Sequence, residues 1–234
     1  MNDMNVVITG ASQGIGRGIA EKFAEAGANL FLVARTMDKQ IAWQQEIMKK
    51  YPCTISSFNA DLSNREDVVK CADAILEATD RIDILVNNAG TFVPGSVHNE
   101  PEGNLEHMMA TNLYSAYHMT RKLLPRMMAQ KKGHIFNIVS IAALKAYPAG
   151  GSYSISKYAL EGFSKNLREE MKPHGIKVTS VHPGATFTNA WEGFVERERI
   201  MEVKDISDMI FAASSLSATA CVEDIILRPQ LGDL

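Results

Sequence analysis

The chain has 234 residues, 46% hydrophobic and 22% charged, which suffices for one substantial core, so a single domain over residues 1–234 is expected. Its 24 basic residues against 27 acidic ones, net charge −3, include no basic block that would grip phosphates, which argues against a nucleic-acid partner. Met1 to Met4 lack a positive region and an apolar core, and Asn137 and Ser140 interrupt the apolar stretch Ile135 to Leu144, so no membrane partner is expected and a reducing, cytoplasmic setting is.

In chain order, short β-branched runs alternate with stretches of helical period, the pattern of a parallel sheet with crossover helices. The strands are expected at Asn5 to Thr9, Asn29 to Ala34, Thr54 to Phe58, Ile82 to Val86, His134 to Val139, Lys177 to Val181 and, more weakly patterned, Asp224 to Leu227. Helices are expected at Ile15 to Ala26, Asp38 to Lys50, Arg65 to Ala78, Leu105 to Ala129, Tyr153 to Lys172 and Ile206 to Ala213. Gly27, Gly133 and Gly175 stand where left-handed caps would end helices, and Pro125 predicts a kink in the fourth. Cys53, Cys71 and Cys221 form no CxxC pair, and the six histidines show no ligand spacing. Buried thiols and no metal are the expectation.

The first chemical signal is Thr9-Gly10-Ala11-Ser12-Gln13-Gly14-Ile15-Gly16, between an apolar strand and a helical pattern. Gly10 permits a tight turn, Gly14 lets backbone approach a pyrophosphate, Gly16 permits close packing, and the helix start favours anions. A plain strand-to-helix turn is the competing reading. Tyr153 and Lys157 stand one helical turn apart and share a face. A tyrosine ordinarily titrates near ~10, and bringing it toward neutrality with help from a nearby ammonium takes about 3 to 4 kcal/mol. Ser140, ending a strand, can hydrogen-bond an oxygen on which negative charge grows. Taken singly, these residues read equally as an amphipathic helix and a satisfied hydroxyl.

With Asn87-Asn88-Ala89-Gly90, Asn112, Ser140, Tyr153-Ser154-Ile155-Ser156-Lys157 and Pro183-Gly184 with Thr188 following in order, the whole chain resembles the short-chain dehydrogenase/reductase family. That resemblance implies an α/β, doubly wound Rossmann-type parallel sheet of about seven strands, helices on both faces, and one nucleotide site at the strands' carboxyl ends. It implies Tyr153 as acid/base, Lys157 also holding the nicotinamide ribose, Ser140 on the substrate oxygen, and Asn112 holding a water that links the lysine to solvent. Ala34 followed by Arg35 replaces the carboxylate of NAD enzymes, so NADP(H) is expected, with Arg35 and a hydroxyl of Ser12 or Thr36 on the 2′-phosphate; Gln13, where many such relatives carry a cation, tempers that preference. Asp61 and Leu62 resemble the adenine-contacting pair, though Asp61 also reads as a helix-start residue. Asn88, Ala89 and Gly90 are expected to line the adenosine side, with Pro183, Gly184, Thr186 and Thr188 near the carboxamide.

Residues 186–204 are expected to form a lid whose Phe187, Trp191 and Phe194 either meet substrate or merely pack. The tail from Val222 to Leu234 resembles that of bacterial sepiapterin-reductase-like members, and Asp233 is a carboxylate that could face an amino-pyrimidine edge or simply be solvated. The reading is an NADPH-dependent reductase of a small ketone or dicarbonyl, with a pterin side chain among the candidates. Its alternatives are a 3-oxoacyl-carrier-protein reductase docking through Arg121, Lys131, Lys132 and Arg168, and a non-catalytic NADP-binding sensor. A homodimer or homotetramer is expected through the helices at Leu105 to Ala129 and Tyr153 to Lys172.

Overall fold

In a computed structural model, which describes residues 3–234, all seven expected strands form one parallel sheet. They are β1 (Asn5–Thr9), β2 (Asn29–Ala34), β3 (Thr54–Asn59), β4 (Ile84–Asn87), β5 (Gly133–Ile138), β6 (Ile176–Pro183) and β7 (Asp224–Leu227), in the spatial order β3-β2-β1-β4-β5-β6-β7. The order reverses between β1 and β4, and it is outside the carboxyl ends at such a switch point that doubly wound sheets bind ligands. Met1 and Asn2, part of the amino-terminal stretch read above, lie outside the described residues. Among the described residues, no helix is long and apolar enough to cross a membrane.

Successive residues of a strand point to opposite faces, and each face is covered by helices. Val6 and Ile8 pack on one side with Ile19 and Phe23 of α1 (Gly14–Glu25), Trp43 and Ile47 of α2 (Met37–Lys50), and Ile206 and Ile210 of α7 (Val203–Ser214). Val7 and Val33 pack on the other with Val68 and Ile75 of α3 (Arg65–Ala78), Met119 and Leu123 of α5 (Ser115–Gln130), and Leu167 and Met171 of α6 (Gly151–Met171). Each such side chain is worth roughly 1.5 to 3 kcal/mol of burial. Even β1, with a wholly apolar interior, is therefore specified in register from both sides.

The helix expected at Leu105 to Ala129 is unbroken along the chain but not uniform in winding. Asn104–Met109 (α4) leads through a π-helical stretch, Ala110–Tyr114, into α5, which runs past Pro125. A π-bulge breaks the ordinary bonding pattern, and such bulges are frequent at functional sites. Gly133 does not cap this helix: the left-handed cap is Lys131, with φ 51°, and Gly133 instead starts β5, where a Cβ would displace the terminal methyl of Met127. Gly27 and Gly175 do take the left-handed conformation expected of them. Asn64, not Asp61, caps α3, its side chain accepting from Glu66 and Asp67 N–H at 2.8 and 3.2 Å.

Candidate functional site

The glycine loop between β1 and α1 is held from beneath by the turn after β4. Thr9 Oγ1 accepts the N–H groups of Asn88 and Ala89, both at 3.0 Å, and the Asn88 amide donates to the carbonyls of Thr9 and Gly10 at 3.0 and 3.1 Å. Asn88, expected with Ala89 and Gly90 to line the adenosine side, thus also shapes the glycine loop. Gly10 and Gly14 have φ of 66° and 56°, and a Cβ on Gly16 would strike the Asn88 amide and the Gly10 carbonyl. Gln13, the N-cap of α1, makes no side-chain cap bond, and the first turn of the helix holds no acidic residue. The first-turn N–H groups are therefore open to an anion, and no carboxylate opposes one. A dinucleotide's pyrophosphate fits this cradle.

Arg35 and Thr36 follow β2 and are exposed. Across the sheet edge, Asp61 receives the N–H and hydroxyl of Ser63 at 3.0 and 2.7 Å, bonds that together with the charge of Arg35 lower its pKa. Leu62 is buried beside it. The loop Ser12 and Gln13, the buried Ala34 and the exposed guanidinium thus border one end of the cradle without a carboxylate on β2 itself.

The four expected catalytic residues converge at the carboxyl ends of β4 and β5. Asn112, inside the π-helical stretch and fully buried, accepts from Thr91 N–H at 2.7 Å and donates to the Thr91 carbonyl and Ser156 Oγ at 3.0 and 2.9 Å. A Cβ placed on Gly90 would lie 3.3 Å from Asn112 Oδ1 and 3.6 Å from Lys157 Nζ, so both polar ends face one glycine. The ammonium of Lys157 is buried and donates to the Ile138 carbonyl at 2.9 Å; burial depresses its pKa from 10.5 to about 8. It stands 5.8 Å from the Tyr153 ring centre, on the shared helix face that the spacing predicts. Burial instead raises the Tyr153 pKa, partly offset by a hydrogen bond with Ser140. Ser140 Oγ also accepts the Ala142 N–H at 3.1 Å.

Two aromatic residues that sequence reasoning did not single out border Tyr153. Phe92, exposed, meets its ring edge-on with centres 4.8 Å apart, and Tyr147 is close enough to raise its pKa further. Both lie on loops after strand ends, where position in the topology is the sole signal, since no spacing rule marks them. Ala149 beside them holds a left-handed φ of 59°, and such backbone strain concentrates at functional sites.

The segment 186–204, expected to form a lid, is pinned at its base by Phe187 N–H to the Met201 carbonyl, 2.7 Å, and Met201 N–H to the Ala185 carbonyl, 3.1 Å. Thr186 is buried and donates to the Gly184 carbonyl at 3.0 Å, and Pro183 closes β6. Thr188 abuts Gly14 across the cradle, 3.3 Å from where a Cβ would sit. Trp191 is half-buried, Phe194 is exposed, and Phe187 lies under the Arg197 guanidinium at 5.3 Å. In the tail, Asp233 is ion-paired with Arg228, and Arg199 binds the Gly232 and Asp233 carbonyls, so that carboxylate already has a partner. A cleft of about 600 Å³ between the lid base and the tail, lined by residues such as Met201, Met209 and Leu231, contains none of the expected site residues. Arg168 is buried, its Nε on the Val178 carbonyl at 2.9 Å, and so drops out of the carrier-docking patch considered above.

The short chain dehydrogenase family model matches residues 4–199. Sepiapterin reductase of Chlorobaculum tepidum is 34% identical over 98% of this chain and 97% of its own length. Among solved structures, a metagenomic short-chain oxidoreductase in complex with NADP is 31% identical, with a TM-score of 0.86 and 98% of both chains covered. L-sorbose reductase from Gluconobacter frateurii, complexed with NADPH and L-sorbose, is 25% identical with a TM-score of 0.90, covering 97% of this chain and 95% of its own.

Proposed function

This chain belongs to the short-chain dehydrogenase family, and we propose on that premise that it is an NADP(H)-dependent reductase of a small ketone or dicarbonyl, the side chain of a pterin being the leading candidate. The observation that carries the reading is the meeting of Asn112, Ser140, Tyr153 and Lys157 beside a carboxylate-free glycine cradle. The cradle N–H groups would hold the pyrophosphate, Arg35 with Ser12 or Thr36 the 2′-phosphate, Asp61 and Leu62 the adenine, and Thr186 and Thr188 the carboxamide. NADPH, when bound, supplies the hydride.

The protein's own part is proton delivery and charge placement. A phenol whose pKa is raised by burial keeps its proton at neutral pH, which suits Tyr153 to donate to a carbonyl oxygen in the direction of reduction. The Ser140 hydroxyl orients that oxygen and stabilises the charge growing on it. Lys157 orients the ribose, and with a pKa of about 8 it exchanges protons readily near neutrality. Asn112 holds the π-helical stretch against Thr91. The exposed faces of Tyr114 and Tyr117 on one side and Ile155 and Tyr158 on the other support a homo-oligomer.

The experiment is a comparison of kcat/KM, with NADPH, for sepiapterin-like compounds, activated dicarbonyls and short 3-oxoacyl thioesters. The first two are expected to be turned over faster. Better turnover of the thioesters would replace this reading with the carrier-protein reductase, and no turnover of any carbonyl would favour a sensor.

A further inference from the structure

Behind the catalytic serine lies a second cluster of polar side chains that the proposed chemistry does not use. His182 on β6 is completely buried, and its Nδ1 stands 3.2 Å from the carbonyl oxygen of Ser140. A carbonyl only accepts, so Nδ1 carries the hydrogen and, in the neutral ring, Nε2 presents its lone pair. That Nε2 has no hydrogen-bond partner among the described residues and points at two carboxylates, 3.4 Å from Glu161 Oε2 of α6 and 3.5 Å from Asp224 Oδ1 of β7. Glu161 is also buried, and its Oε2 is likewise without a hydrogen-bond donor.

Three electron-rich atoms within 4.8 Å of one another repel unless a cation lies among them. Of the neighbouring cations, Lys165 meets an oxygen that faces away from Nε2, whereas Arg168 also donates to Asp224 Oδ1 itself. Lys165 takes the other oxygen of Glu161, Oε1, at 3.2 Å; Arg168 approaches Asp224 Oδ1 at 3.4 Å but is fixed by the carbonyls of Val178 and Glu223, and the Glu223 carboxylate lies 3.5 Å from its Nη1. Neither has a donor on Nε2.

We propose that Glu161, His182 and Asp224 form a divalent-metal site, with Zn²⁺ the cation their chemistry fits best. One imidazole and two carboxylates suit Zn²⁺ better than the all-oxygen sets that favour Mg²⁺ or Ca²⁺. Tetrahedral ligands about 2.1 Å from a metal stand about 3.4 Å apart, which is the separation of Nε2 from both oxygens here. The surroundings are those of a ligand set as well. The histidine's second ring nitrogen donates to a backbone carbonyl and Lys165 holds the spare carboxylate oxygen, as outer partners of metal ligands do. Asp224, with its side chain 40% exposed, leaves an entry path and an open fourth position. Bound there, the ion joins α6, β6 and β7 directly behind Ser140. Sequence gives no sign of it, because the three ligands come from three separate elements.

The test uses the untagged full-length chain, stripped with a chelator and titrated with Zn²⁺ alone in competition with a chromophoric indicator. Uptake of one ion per chain is expected, with a raised Tm and, for Co²⁺ in its place, the intense visible absorption of a four-coordinate site. Asp224→Asn and Glu161→Gln, both conservative, should each weaken binding at least about tenfold, with circular dichroism verifying that they fold. Non-saturable uptake, or affinity unchanged in both variants, overturns the site. So does nitrogen NMR showing hydrogen on His182 Nε2 in Zn²⁺-containing buffer, since a proton would then be the cation. None of these readouts depends on turnover.

Discussion

Lys157 is the residue whose burial can be turned into a stability measurement. The residue is 5% exposed, and its ammonium has one acceptor among the described residues, the Ile138 carbonyl. A folded pKa of about 8 against 10.5 means the fold disfavours the charged form by about 3 kcal/mol. Below pH 8 both the folded and unfolded chains carry the proton, so the penalty is fully present. Between pH 8 and about 10.5 the folded chain releases the proton while the unfolded chain keeps it, so wild-type stability from this group rises with pH. Lys157→Met removes the penalty but leaves the Ile138 carbonyl unpaired, which costs about 1 to 3 kcal/mol. The variant should therefore match or exceed wild type by about 1 kcal/mol at pH 7 and lose about 2 kcal/mol relative to it by pH 9.5. Urea melts of both proteins at the two pH values measure this. Comparing the two proteins cancels every other titrating group that they share. A stability difference independent of pH would refute the buried-ammonium reasoning.

Other expectations concern the site and the surface. Arg35→Ala should weaken NADPH by roughly ten- to a hundredfold, the worth of a charged hydrogen bond, and NADH far less; fluorescence titration showing equal losses would remove Arg35 from the 2′-phosphate. Trp191→Ala should lower kcat/KM on a planar aromatic substrate more than on a small aliphatic diketone, because stacking orients a ring at little entropic cost. Equal effects would return the lid aromatics to packing. Light scattering at micromolar concentration should give the mass of a dimer or tetramer, and Tyr117→Glu should shift it toward monomer by burying a charge in the interface; a monomeric wild type would reject the assembly.

The sheet was legible because its signals are local and redundant. Seven short β-branched runs, each bounded by turn residues, leave few alternatives to a parallel sheet once helical stretches separate them. What was not legible depended on neighbours. The π-helical stretch holding Asn112 has ordinary helical composition, and its bulge is tied to the Thr91 backbone, contacts that no periodicity encodes. Lys131 takes the left-handed cap in place of Gly133, which opens β5 two residues later. Arg168 was a candidate for carrier docking, but the Val178 carbonyl of β6 and the Glu223 carbonyl before β7 draw it inward. Tyr153 and Lys157 were correctly placed on one face, yet their electrostatics followed burial rather than their mutual approach. Phe92 and Tyr147 reach Tyr153 from loops whose path the chain alone does not specify.

The central claim is that this chain moves a hydride from NADPH to a carbonyl with Tyr153 delivering the proton. The most direct test follows NADPH absorbance with a reactive dicarbonyl for wild type and Tyr153→Phe, alongside NADPH binding to both. Wild type should turn over, and Tyr153→Phe should bind NADPH with nearly unchanged affinity while losing turnover, since only the transferable proton is removed. Substantial activity retained in Tyr153→Phe would contradict the account.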